Sequence, residues 1–169
     1  MKEEDLDFIK EKHKWPFVWT DIFGRYFILI APLFFIFLSF MISYFSIKRD
    51  TDFSFLLVAI PIFLFGCFAF FLILKRLESE RQFKTILFER QHPEFENYFT
   101  DLGWKLSSKT DKVIIGETKI SWFSWGETIT IVLGNKELLF NSRPQGRQPF
   151  TFNRDKVNYK KFCNEISIT

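Results

Sequence analysis

Two runs of 22 residues, 26–47 and 53–74, carry no charged side chain. As α-helices rising 1.5 Å per residue, each is roughly 33 Å long, enough to cross a hydrocarbon core of about 30 Å. The connector 48–52 is short, so the sequence predicts a transmembrane hairpin with both flanks on the same side. The apolar content is concentrated in these runs. They hold 13 of the 25 Phe, whereas 34% of the other 125 residues are charged. A wholly water-soluble single core, a collagenous chain, a disulfide scaffold and wholesale disorder are thereby excluded.

A secretory signal is the competing reading of the first run. That run follows 25 residues dense in charge, exceeds a usual apolar signal core and lacks a small-x-small cleavage site. Lys10, Lys12, Lys14, Arg25, Lys75, Arg76, Arg81, Lys84 and Arg90 flank the outer ends of the hairpin, against Lys48 and Arg49 in the connector. The positive-inside rule puts both termini in the cytoplasm. Cys67 in the second run and Cys163 in a predicted helix form no natural disulfide pair. Pro32 and Pro61 are expected to kink or loosen the spans. Ser39, Ser43 and Ser46 fall on one stripe, which reads as small-residue packing within the hairpin or as the lining of a water path in an oligomer. With no ionisable residue at depth, a proton relay is not expected.

Four regions follow. Residues 1–25, with Trp15 and Trp19, read as a cytoplasmic interfacial segment, and 26–74 as the hairpin. Residues 75–92 read as a helical stalk ended at His92-Pro93. Residues 93–169 read as a small cytoplasmic α+β domain, an antiparallel sheet with flanking helices. In that domain Phe95, Tyr98, Phe99 and Leu102 have helical spacing before Gly103. Strands are expected at 104–107, 113–120, 127–133 and 137–141, with a short edge strand at 150–152. Asn153 opens a closing helix whose buried stripe is Tyr159, Phe162, Cys163 and Ile166.

Catalytic chemistry finds no foothold. His13 and His92 have no Cys, Asp or Glu at ligand spacing, Cys163 has no histidine nearby in sequence, and no phosphate-cradling glycine pattern occurs. No enzyme activity, cofactor or metal is expected. Charge is more informative, because the excess of four positive charges in residues 75–169 arises after position 135. It is centred on FNSRPQGRQPF, 140–150. There Arg143 and Arg147 can grip phosphate, while Asn141, Ser142 and Gln148 can reach ribose or base edges. An ordinary solvated loop, or a patch resting on anionic headgroups, is the alternative. In SWFSWGE, 121–127, the aromatic cluster reads as filling the sheet's core or capping a hairpin, or as a stacking surface for a base; Trp122 and Trp125 cannot share one strand face, so the one outside the core is the better stacking candidate.

The double span, the lack of catalytic residues and the NSRPQGR segment together resemble the small two-span effectors of prokaryotic antiviral defence. The chain is similar in layout to the CRISPR-associated membrane proteins of type III systems that cyclic oligoadenylate activates. That resemblance implies a homo-oligomer in a bacterial cytoplasmic (inner) membrane whose cytoplasmic domains bind a cyclic oligonucleotide and then perturb the lipid bilayer, with no role for double-stranded nucleic acid. It also implies that Arg143 and Arg147 neutralise phosphates, Asn141 and Gln148 contact ribose or base, and Trp122 or Trp125 stacks. The alternatives are a membrane-anchored pleckstrin-homology-like binding module and an immunity protein that neutralises a toxin at the inner membrane.

Overall fold

The computed structural model describes residues 1–48, 54–87, 95–120, 125–134, 136–145 and 153–168, without the side chains of 20–22, 54, 96, 167 and 168. The chain divides into two compact units, one made of Met1–Trp19 together with Ser79–Thr169, the other of Thr20–Glu78.

The second unit is the hairpin. A short helix α2 (Trp19–Gly24) and a 3₁₀ turn (Tyr26–Leu29) lead into α3 (Ile30–Lys48), and α4 (Ser54–Arg81) returns. Pro32 therefore sits in the first turn of α3, where its missing N–H costs no intrahelical bond, and the expected irregularity falls at the 3₁₀ turn before it. Pro61 lies inside α4. Both helices are long and apolar enough to cross a membrane, and only 11% of the most apolar stretch of each is buried. Phe27, Phe34, Phe37, Phe40, Phe65 and Phe68 are exposed around the pair. Its inner seam is made of small residues: Ser39, Ser46 and Ala59 are buried, and a Cβ on Gly66 would stand 3.1 Å from the carbonyl oxygen of Pro32. Two of the three stripe serines, Ser39 and Ser46, thus pack inside the hairpin, and Ser43 is half-buried. Phe35 meets Phe65 and Phe40 meets Phe63 edge-on across the seam.

The other unit is built on a five-stranded antiparallel sheet in the order β1-β5-β4-β3-β2, where β1 is Lys84–Leu87, β2 Lys105–Lys109, β3 Val113–Glu117, β4 Glu127–Leu133 and β5 Glu137–Pro144. Both faces are covered, which is why β4 and β5 are buried almost continuously instead of alternately. On one face Ile114, Ile129, Ile131, Leu138 and Phe140 pack against α5 (Phe95–Asp101) and α6 (Arg154–Ile168) through Phe99, Trp104 and Phe162. Gly116 lies under Phe99; a Cβ there would overlap that ring and come within 2.9 Å of the carbonyl oxygen of Lys105. On the other face Val113, Val132 and Leu139, one step out of phase, receive Leu6 and Ile9 of α1 (Glu3–Lys12).

Helix α1 suits its place. Three acids in its first turn and Lys10 and Lys12 in its last complement the helix dipole, Leu6 and Ile9 share a face, and His13 ends it in a left-handed conformation at φ 51°. Residues 1–19 thus belong with the sheet, whereas the sequence assigned 1–25 to an interfacial segment and began the domain at 93. The stalk is also shorter than expected. α4 stops at Arg81, and residues 84–87, read as helix, pair with 137–140 of β5. Thr85 and Ile86 are β-branched, and Phe83 and Leu139 meet in the core under α1. The sheet and closing helix stand close to expectation, with β5 running three residues further, to Pro144. His92-Pro93 and the edge strand at 150–152 lie outside the described residues.

Candidate functional site at one end of the sheet

The β4–β5 register sets Glu127 opposite Pro144, and the N–H of Gln145 donates to the carbonyl of Gly126 at 3.0 Å. The described parts of the two segments singled out by sequence, 125–127 and 140–145, therefore meet at the same end of the sheet. Gly126 makes this possible. It holds φ +92°, and a Cβ on it would stand 2.8 Å from Oε1 of Gln145 and 2.9 Å from the carbonyl oxygen of Thr118. Beside it Trp125 is 61% exposed, the position expected of a Trp outside the core. Trp122, Arg147 and Gln148 lie outside the described residues.

The remaining predicted contacts are used differently. Asn141 is 3% exposed, and its amide is committed: Oδ1 accepts from Trp15 Nε1 at 2.9 Å, while Nδ2 donates to the carbonyls of Glu80 at 3.0 Å and Gln82 at 2.8 Å. Ser142, equally buried on the opposite face, donates to Glu127 Oε2 at 2.7 Å and accepts from Asn158 Nδ2 at 3.0 Å. Neither side chain can turn to a ligand without abandoning buried partners, so both are reassigned from ligand contact to internal ties. Arg143 is half-buried, with its guanidinium 5.0 Å from the Trp15 ring centroid.

Trp15, read from sequence as an interfacial anchor, is the residue whose role was missed. Its ring lies 5.3 Å from that of Phe83. Around it the two flanks of the hairpin pair as a short antiparallel bridge at Lys14 and Gln82. The Trp15 N–H donates to the Arg81 carbonyl at 2.9 Å, the Phe83 N–H to the His13 carbonyl at 2.8 Å, and Arg81 Nη2 to the Trp15 carbonyl at 2.8 Å. An isolated Trp gives no periodic signal by which sequence could place it here.

The basic excess is also more dispersed than expected. Arg154, Lys156, Lys160 and Lys161 are exposed on α6, and Lys136 stands at the other end of the sheet. There an open groove of about 580 Å³ is lined by Lys10, Leu87, Val132, Lys136 and Leu139. A crevice beside Asn141, lined by Ser79, Glu80, Lys84 and Asp155, has room for about 10 Å³, the space of one water. Lys84 spans Asp155, at 3.8 Å, and the face of Tyr159, at 4.6 Å. Burial pushes the Tyr159 hydroxyl above its ordinary value, and a hydrogen bond with Cys163 adds to the rise. Among the described residues no group of three His, Cys, Asp or Glu is arranged to hold a metal ion. No protein-family model, curated protein or solved structure matches this chain.

Proposed function

We propose that the protein is a non-enzymatic membrane effector whose soluble unit takes an anionic ligand at the Trp125–Arg143 end of the sheet and passes the event to the hairpin. One observation carries this reading: the hairpin is inserted into a folded unit made from both of its flanks. The chain leaves that unit after Trp19 and returns at Ser79, so any bilayer crossed by the hairpin has both flanks on one side. The basic flanks favour the cytoplasmic side of an inner membrane, and the exposed Phe surface suits lipid or neighbouring copies. Two helices enclose no pore, so membrane perturbation calls for a homo-oligomer.

The ligand favoured by the resemblance is a cyclic oligoadenylate. Arg143 and Arg147 would neutralise phosphates, Trp125 or Trp122 would stack a base, and Gln148 would contact ribose. The protein would then serve antiviral defence. The full chain in detergent is expected to bind cyclic tetra-adenylate, with at least a tenfold loss in Arg143→Ala/Arg147→Ala, measured by calorimetry. No binding by the unmutated chain to any cyclic oligoadenylate would sink the nucleotide reading. The exposed cations of α6 favour a second reading, a membrane-anchored module that binds anionic lipid headgroups. In that case charge reversal of Lys156, Lys160 and Lys161, with the arginines intact, abolishes binding of anionic headgroups.

A further inference from the structure

We infer that the junction of residues 13–15, 81–83 and β5 is a latch that holds the two roots of the hairpin together, and that Arg143 makes this latch sensitive to anions. The inference rests on the proposal above that the end of β5 receives an anionic ligand.

The geometry is that of a three-way tie. The Asn141 amide bonds one group on the segment before the hairpin, Trp15 Nε1, and two on the segment after it, the carbonyls of Glu80 and Gln82. Those segments also bond each other, through the Lys14–Gln82 bridge and from Arg81 Nη2 to the Trp15 carbonyl. The points where the chain leaves and re-enters the soluble unit, Trp19 and Ser79, are only a few residues from these bonds. Release of the tie therefore frees both roots together.

Arg143 supplies the sensitivity. Asn141 and Arg143 are two apart on β5 and share the face toward Trp15, so one indole is held at its N–H by Asn141 and covered on its ring by Arg143. A phosphate engages guanidinium through bidentate, charge-assisted hydrogen bonds, stronger than a cation–π contact. An anion drawn to the end of β5 competes with the Trp15 ring for the same guanidinium. Binding of a polyanion and loosening of the latch become one event, with no need for a change in the sheet.

Amide hydrogen exchange of the full chain in nanodiscs tests this. In the ligand-free protein the Trp15 and Phe83 amides are expected to be protected. Asn141→Ala lowers protection at both by at least tenfold while β4 amides stay unchanged. Should Asn141→Ala unfold the whole unit, Trp15→Phe, which keeps the ring and loses the donor, gives the same selective loss. Saturating cyclic tetra-adenylate loosens both amides in the unmutated chain. Tripolyphosphate is the second probe. If it loosens them and cyclic tetra-adenylate neither binds nor acts, the nucleotide reading fails and the latch stands. Unchanged protection in both variants, or in the presence of both anions, overturns the latch.

Discussion

The hairpin and the soluble unit both bury polar side chains, and they satisfy them over very different distances along the chain. In α3, Ser39 donates to the Ile36 carbonyl and Ser43 to that of Ser39, bonds reaching three and four residues back. In the soluble unit, Asn141 bonds groups 59, 61 and 126 residues away. A helix that meets its own polar needs locally can lie among apolar neighbours of any kind. A side chain whose partners are remote joins segments that would otherwise drift apart. Serine in the hairpin is thus a small residue that permits close packing, whereas Asn141 is a tie on which the assembly of the unit depends.

The difference sets an order of expected effects. Asn141→Leu leaves Trp15 Nε1 and two carbonyls without their partner, and should cost about 2–4 kcal/mol in denaturant unfolding of the soluble unit. Gly116→Ala drives a methyl into Phe99 and should cost about 1–3 kcal/mol. Tyr159→Phe bears on alkaline stability. Burial raises the folded-state value of Tyr159 above its unfolded value near 10, so the folded state resists losing the proton. Its contribution is fully present below pH 10 and is lost as pH rises through the raised value. Melting temperature should therefore fall above pH 10 in the unmutated chain and fall less in Tyr159→Phe. At the small end, Ser43→Ala removes only a local bond and should change hairpin stability by less than about 0.5 kcal/mol. A Ser43→Ala effect as large as that of Asn141→Leu would erase the distinction between local and remote ties.

Sequence revealed most where one element depends on few others. The two charge-free runs placed the hairpin, and the β-branched segments placed β3, β4 and most of β5, because apolar period and turn residues are local signals. Residues 84–87 were not legible, since they follow a 28-residue helix without a strong breaker and become a strand only because β5 offers an edge. The place of α1 was hidden for a similar reason: Leu6 and Ile9 form a two-residue stripe whose partners Phe83, Val113, Val132 and Leu139 are all remote in sequence. At the candidate site, sequence picked out two segments whose described parts meet, and gave ligand roles to two side chains that are tied inward. Asn141 and Ser142 look like loop polar groups beside Arg143 and Pro144, yet continuous burial of β5 on both faces turns both inward. Strand continuation through Ser-Arg-Pro has no propensity signal and is imposed by pairing with β4.

The two flanks of the apolar hairpin fold into one unit, and the proposed function requires that the hairpin lie in a bilayer. Lys14 and Gln82 form the non-hydrogen-bonded pair of their bridge, where opposed backbones come within about 4.5 Å and a disulfide can close. The most direct measurement is oxidation of full-length Lys14→Cys/Gln82→Cys, in a Cys67→Ser/Cys163→Ser background, in carbonate-washed membranes. The protein is expected to stay with the membrane and to form an intramolecular disulfide in nearly all molecules. Retention in the membrane with both thiols open to maleimide, or release of the protein by the carbonate wash, would contradict it.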